Sequence, residues 1–241
     1  MITSILKGGL GNMMFQISAG KSLAVDLGTD YSYTMDKWSS VTQHKISSYP
    51  DSIFRNITKS KLTNGLVYIE PSFSFSKLAP KNNIILDGYF QSEKYFSHNR
   101  NIIKSLFFVK ENKSYKDYTF IHVRRKDYLL YPEFHPTCCV SYYSEAIKTF
   151  PNEKFIVLSD DIEWCKKNIK AKNIEYNDSA TDLEDLSIMV SCKNAIIANS
   201  TFSWWGAWLS NSNQVIAPKF WFGPRGPSDW KDIYPDNWKI L

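Results

Sequence analysis

Four clusters of polar residues have types and spacings that can do chemistry. The densest is Ile121-His122-Val123-Arg124-Arg125-Lys126-Asp127-Tyr128. Arginine suits a diphosphate because its planar fork makes two charge-assisted hydrogen bonds. Neighbouring side chains of an extended segment point to opposite faces. One of Arg124 and Arg125 therefore faces a ligand and the other an internal carboxylate. A lone Arg-Arg pair is usually a solvated basic turn, but His122 and Asp127 flank this one at the end of an apolar strand, which favours a site. The second cluster is Leu158-Ser159-Asp160-Asp161. A carboxylate there can cap the next helix, bind a ribose or a metal, or act as a base; capping is the preferred reading for Asp160. Asp161 in the first helical turn suits the helix dipole. In the third, Asn199-Ser200-Thr201-Phe202-Ser203-Trp204-Trp205-Gly206-Ala207-Trp208, hydroxyls and backbone N–H groups precede an apolar helix and offer an anion site. Its tryptophans read as core, and Gly206 as a point of close helix packing. The fourth, Gly8-Gly9-Leu10-Gly11-Asn12, is neither GxGxxG nor a Walker A loop. It reads as a tight turn that brings backbone near a ligand.

The elements that must hold these clusters alternate. Residues 2–6 read as a strand, 7–12 as the glycine loop, 13–27 as a helix on its apolar spacing, and 31–35 as a strand. Residues 36–82 are weakly patterned and read as loops with short helices. A strand at 84–86 and helical patterning to about residue 108 close the first half. In the second half, strands at 119–123, 154–158, 173–176, 195–198 and 214–217 alternate with helices at 140–150, 160–169, 182–191 and 203–210. Such alternation implies mostly parallel sheets with right-handed crossovers. Three of the clusters then fall at carboxyl ends of strands, where open α/β sheets bind ligands, and with the glycine loop they suggest a cleft for a nucleotide diphosphate. The expected fold is α/β, with two Rossmann-like halves, 1–110 and 111–241, facing a cleft.

Composition bounds the rest. The 241 residues, 43% hydrophobic and 22% charged, are those of a globular chain. The net charge of +5 divides unevenly: residues 1–110 carry 13 basic and 7 acidic side chains, residues 111–241 carry 16 and 17. No run reaches the ~18 apolar residues of a membrane span, and no signal peptide is read at the N-terminus. Cys138, Cys139, Cys165 and Cys192 include no CxxC pair, and the four histidines lack zinc-ligand spacing. No metal or other cofactor is expected. Basic residues are dispersed, which argues against nucleic acid. No nucleophile triad stands out.

Together, GGLGNMMFQ (8–16), GYFQS (88–92), HVRRKDY (122–128), SDD (159–161), NSTFSWWGAWL (199–209) and VIAPKFWF (215–222) resemble the α-1,2-fucosyltransferases of glycosyltransferase family 11. The resemblance implies a GT-B-like fold, GDP-fucose as donor, inversion at the sugar and no metal requirement. It places Arg124 on the donor diphosphate and His122 near the nucleotide. Asp185, or else Asp182, matches the acid that reads guanine. Thr201, Phe202 and Ser203 match a phosphate and nucleotide contact, with Ser200 and Asp160 beside them, and Asn12 matches the asparagine of the GLGNQ loop. Two positions depart from the family pattern: Met13 replaces a glutamine and Lys126 a glycine. Residues 36–82 are short for an acceptor region.

The implied reaction moves L-fucose from GDP-β-L-fucose to the 2-hydroxyl of a β-galactosyl glycan. Glu133, Asp127 and His122 are candidate bases, with Glu133 and Asp127 ranked equal. Alternatives are transfer of another nucleotide sugar on the same fold and a glycan-binding module without catalysis. A cytoplasmic enzyme acting on a soluble or lipid-linked glycan is the expected setting, with peripheral membrane association and a homodimer left open.

Overall fold

The structure, a computed structural model, describes residues 1–36, 48–62, 64–178, 181–210 and 212–241. The chain divides into two compact units, residues 1–108 with 229–235, and residues 109–228 with 236–241. The first unit is thus not contiguous. Residues 229–235 return to it, where Asp229 O accepts from Ser74 Oγ at 2.5 Å and the Asp232 carboxylate accepts from Phe75 N at 3.0 Å and pairs with Lys94.

The first unit holds a parallel sheet of β1 (Ile2–Ile5), β2 (Tyr31–Thr34), β3 (Leu66–Ile69) and β4 (Ile84–Asp87), in the order β2-β1-β4-β3. Helix α1 (Leu10–Asp26) begins inside the glycine loop, three residues earlier than its apolar spacing predicts, because Gly8 makes the turn at φ +78°. Strand β3 corrects the loop-and-helix expectation for 36–82. It lies at the sheet edge with Leu66, Val67 and Ile69 exposed, so it shows no apolar-polar alternation to read. Part of that stretch, 37–47 and 63, lies outside the described residues. The helix expected after β4 is broken into two 3-10 turns, Glu93–Tyr95 and Ser97–Asn99, before α2 (Arg100–Leu106).

The second unit holds β5 (Tyr118–Val123), α3 (Val140–Lys148), β6 (Lys154–Ser159), α4 (Ile162–Asn168), β7 (Ile174–Tyr176), α5 (Asp182–Ser191), β8 (Asn194–Ile196), α6 (Thr201–Leu209), β9 (Gln214–Ala217) and β10 (Lys239–Ile240). Its parallel sheet runs β10-β9-β8-β5-β6-β7. β10, only two residues long, has no pattern to read in sequence. The chain steps from β5 through β6 to β7 on one side of the sheet centre and from β8 through β9 on the other. Right-handed crossovers therefore put α3 and α4 on one face, sharing a core with Ile121, Val123, Val157 and Ile196. They put α5 and α6 on the other. Gly206 of α6 meets Met189 of α5 so closely that an added Cβ would lie 2.6 Å from Sδ. Trp204, Trp205 and Trp208 are all buried beneath α6, with the ring of Trp238 5.4 Å from that of Trp204. The expected α/β architecture, with a parallel sheet in each half, is what the chain adopts.

Candidate active site

In the second unit the order reverses between β5 and β8, the switch point at which doubly wound sheets take their ligands. Both strands end there in polar residues. From β5 come His122, Arg124 and Asp127; from the turn after β8 come Asn199, Ser200, Thr201 and Phe202. The His122 and Phe202 rings meet edge-on, 5.7 Å apart.

Arg124 is held by two carboxylates, Asp127 Oδ2 at 2.8 Å and Asp160 Oδ2 at 3.3 Å. Burial alone would lower its pKa, but the two carboxylates outweigh burial and raise it. Asp160 in turn accepts the backbone N–H groups of Arg125 (2.9 Å) and Lys126 (3.2 Å). Its burial raises its own pKa, against the opposing pull of Arg124 and those N–H groups. The helix cap is therefore not Asp160. Asp161 caps α4, accepting from Trp164 N at 3.3 Å. Asp161 also receives Arg125 Nε at 3.1 Å, while the Arg125 guanidinium lies 3.8 Å over the Trp164 ring. The two arginines are separated as an extended backbone requires, Arg125 turned onto α4 and Arg124 toward the strand end.

His122 is 4% exposed, its carbonyl accepts from Tyr143 at 3.3 Å, and its Nδ1 has no hydrogen-bond partner in the protein. Burial, helped by Arg124, drops its pKa to about 3, so the ring is neutral near pH 7 and too weak a base to activate a hydroxyl.

At the start of α6, Ser200 occupies the cap position without a side-chain cap bond, so first-turn N–H groups stay available. Ser203 does not share that opening. It is fully buried, and its hydroxyl lies 3.3 Å from Ala198 O and 3.2 Å from Ser200 O. Asn199, to which the sequence assigned no role, fixes the turn: its Nδ2 donates to Pro136 O (2.9 Å) and Trp221 O (3.0 Å), and its carbonyl accepts from Tyr128 (2.9 Å). Tyr128 stacks on His135 at 5.0 Å and lies 5.7 Å from the Arg124 guanidinium. Tyr128 stands in the 121–128 cluster visible in sequence, but its stacking needed the fold.

Three further candidates have local partners or settings of their own. Asp185, in the first turn of α5, accepts from Asn177 Nδ2 at 2.8 Å. The Glu133 side chain is exposed, in a segment tied by Arg225 N to Glu133 O at 2.9 Å. Asn12 belongs to the first unit, in the first turn of α1.

Residues 63–241 match the Glycosyl transferase family 11 profile. The chain belongs to glycosyl transferase family 11. Among its family relatives, an alpha-1,2-colitosyltransferase of Escherichia coli is 30% identical over 99% of this chain and 98% of its own. A galactoside 2-alpha-L-fucosyltransferase of Caenorhabditis elegans is 25% identical over 100% of this chain and 79% of its own. The crystal structure of the Bradyrhizobium alpha-1,6-fucosyltransferase NodZ, soaked with GDP-fucose, superposes with a TM-score of 0.57 over 90% of this chain and 95% of its own, at 12% identity. That likeness carries the fold alone and agrees with a GT-B-like family 11 architecture. This family 11 member is a glycosyltransferase of the fucosyltransferase kind. Among the described residues, no helix is long and apolar enough to cross a membrane.

Proposed function

We propose that the family 11 chain transfers L-fucose from GDP-β-L-fucose to the 2-hydroxyl of a β-galactosyl glycan with inversion. The observation that carries this reading is Arg124 at the switch point, fixed by Asp127 and Asp160 beside a neutral, partly unpartnered His122. A cation fixed before the substrate arrives stabilises the charge that develops on a departing diphosphate without further reorganisation. The open first turn of α6 adds backbone N–H groups for phosphate oxygens, with Thr201 and Ser200 at its mouth. His122 Nδ1 and the Phe202 ring suit the polar edge and the face of a nucleotide. Asp185 remains the proposed guanine-reading acid, with Asp182 beside it on the same turn.

Asp127, Asp160 and Asp161 are each engaged by an arginine or by backbone N–H, which suits charge balance by side chains, and the proposed reaction uses no metal. For inversion, one carboxylate must take the acceptor proton as the sugar–phosphate bond breaks. Asp127 is spent on Arg124, whereas the exposed Glu133 carboxylate follows six residues later. Glu133 is accordingly the proposed base, its carboxylate being exposed, and Asp127 the group proposed to orient Arg124.

The relatives' names divide between colitosyl and fucosyl transfer, and colitose is fucose without its 3-hydroxyl, so GDP-colitose is the second donor to test. Purified protein is incubated with GDP-fucose, GDP-colitose, GDP-mannose or a UDP-sugar and a panel of β-galactosides, and the product linkage is read by NMR. An α-1,2-fucosyl product is expected. Turnover of colitose alone, or of a UDP-sugar, overturns the donor assignment.

A further inference from the structure

Strand β3 is the outer strand of the first unit's sheet, and among the described strands only β4 pairs with it. Its bonds to β4 fix which way its peptide groups point. Leu66 N donates to Asn83 O at 3.1 Å and Glu70 N to Asp87 O at 3.0 Å. Because backbone groups alternate in direction along a strand, Leu66, Tyr68 and Glu70 turn theirs inward to β4. The N–H and C=O groups of Val67 and Ile69 then point outward, an open row that can template another strand.

The side chains along that row are exposed as well: Leu66 by 58%, Val67 by 44% and Ile69 by 71%. Folds that stay monomeric blunt such an edge with lysine, proline or a bulge. β3 has none of these. Leu66-Val67-Tyr68-Ile69 carries no charge, and the register with β4 runs unbroken from Leu66↔Ile84 to Ile69↔Asp87. Pro71 comes only after the strand has ended. The neighbouring carboxylate, Glu70, is taken up by the N–H groups of Tyr89 (2.6 Å) and Phe90 (3.0 Å). A charged segment laid on this edge would bury its charge against apolar side chains with nothing to pair it. The fitting partner is therefore another uncharged apolar strand edge.

We propose that the partner is a second copy of this chain, and that β3 pairs edge to edge with itself in a two-fold dimer. A two-fold axis at Tyr68 sets the strand antiparallel to its copy and places Val67 opposite the copy's Ile69. The two residues whose backbone groups point outward are then the ones that meet, and each such pair exchanges both of its hydrogen bonds. Their β-branched side chains pack across the seam on one sheet face, and the two Tyr68 side chains stand side by side on the other. A shift of one residue would set inward groups against outward ones and lose the bonds. The contact is self-complementary, as a two-fold interface requires. One short strand pair falls below the ~1,200–2,000 Å² of stable interfaces, so the dimer is expected to form and dissociate with protein concentration. The proposal does not depend on the transferase reading.

Analytical ultracentrifugation of the full chain over a concentration series measures the association. The mass is expected to rise from that of one chain toward that of two. Val67→Lys combined with Ile69→Lys sets like charges across the seam and should hold the chain monomeric throughout. Both positions are exposed, so the melting transition of the dilute variant should match the wild type. Val67→Pro removes an outward N–H and spares the bonds to β4. It should weaken association roughly tenfold, since one hydrogen bond is lost on each side of the axis. The register has its own readout. Residue 68 of each copy faces its equivalent in a non-hydrogen-bonded pair, with Cα atoms ~4.5 Å apart, within disulfide reach. Tyr68→Cys should therefore cross-link into a dimer under mild oxidation faster than the wild type, and faster than Leu66→Cys, whose position faces Glu70. A wild-type chain that stays monomeric at its highest soluble concentration overturns the proposal. So does a dimer that survives both the lysine and the proline variants, or cross-linking of Leu66→Cys as fast as that of Tyr68→Cys. Should the lysine variant fail to fold, the proline variant and the cross-link decide.

Discussion

Arg124 and its two carboxylates divide the chemistry of the proposed donor site among single residues. Arg124→Ala removes the cation proposed to face the diphosphate and is expected to lower GDP-fucose turnover by about 10²–10³-fold. Its circular dichroism should match the wild type, and turnover within a few-fold of wild type would refute the role. Glu133→Gln and Asp127→Asn separate the base from the orienting group. The first should suppress transfer while sparing slow donor hydrolysis, and the second should reduce both, because Arg124 loses its 2.8 Å partner. The opposite pattern would exchange the two roles. His122 gives a pH signature of stability. Its folded pKa of about 3 lies below its ordinary 6.5, so between these values the unfolded chain binds more protons than the folded one. The contribution of the neutral ring is complete above pH 6.5 and is lost as pH falls toward 3. Urea midpoints measured from pH 7 to pH 4 should fall less steeply in His122→Gln than in the wild type.

At the scale of elements, α6 shapes the proposed donor site through its own packing. Its first turn is presented at the strand end because its buried face is fixed against α5, and Gly206 is where the two helices touch. Gly206→Ala would place a Cβ 2.6 Å from Met189 Sδ and 2.7 Å from Met189 Cβ. Overpacking of that kind costs about 1–3 kcal/mol, which in a chain of this size lowers the melting temperature by roughly 2–4 °C per kcal/mol. Differential scanning calorimetry checks the shift, and an unchanged transition would mean that α5 and α6 separate freely. The sequence was clear for this helix, in which Trp204, Trp205 and Trp208 follow the small hydroxyl residues of its first turn. It was less clear at boundaries that depend on one residue's partner. Asp160 and Asp161 are adjacent carboxylates, and only the positions of Trp164 N and Arg125 N determine which one caps α4.

For the molecule as a whole, the charge asymmetry takes on a local meaning. The basic surplus lies in residues 1–110, whereas the arginine pair lies in the nearly balanced half. The proposed donor site therefore relies on placed side chains and helix N–H groups more than on net charge. GDP at about 100 times its Kd should stabilise the protein by about 2.7 kcal/mol if it binds only the folded state. Hydrogen-exchange protection should increase at 122–127 and 199–204. Protection confined to other segments would move the donor site.

The sequence by itself determined the family, the α/β class and the clusters at strand ends, because motif order and apolar periodicity are local properties of the chain. It also placed Trp204, Trp205 and Trp208 in the core. The tertiary structure decided what periodicity does not encode: the edge strand β3, the return of 229–235 to the first unit, and the inward turn of Ser203. It decided, too, that burial holds His122 neutral near pH 7. Each of these depends on a partner distant in sequence, and burial or hydrogen bonding exists only once the fold has brought that partner near.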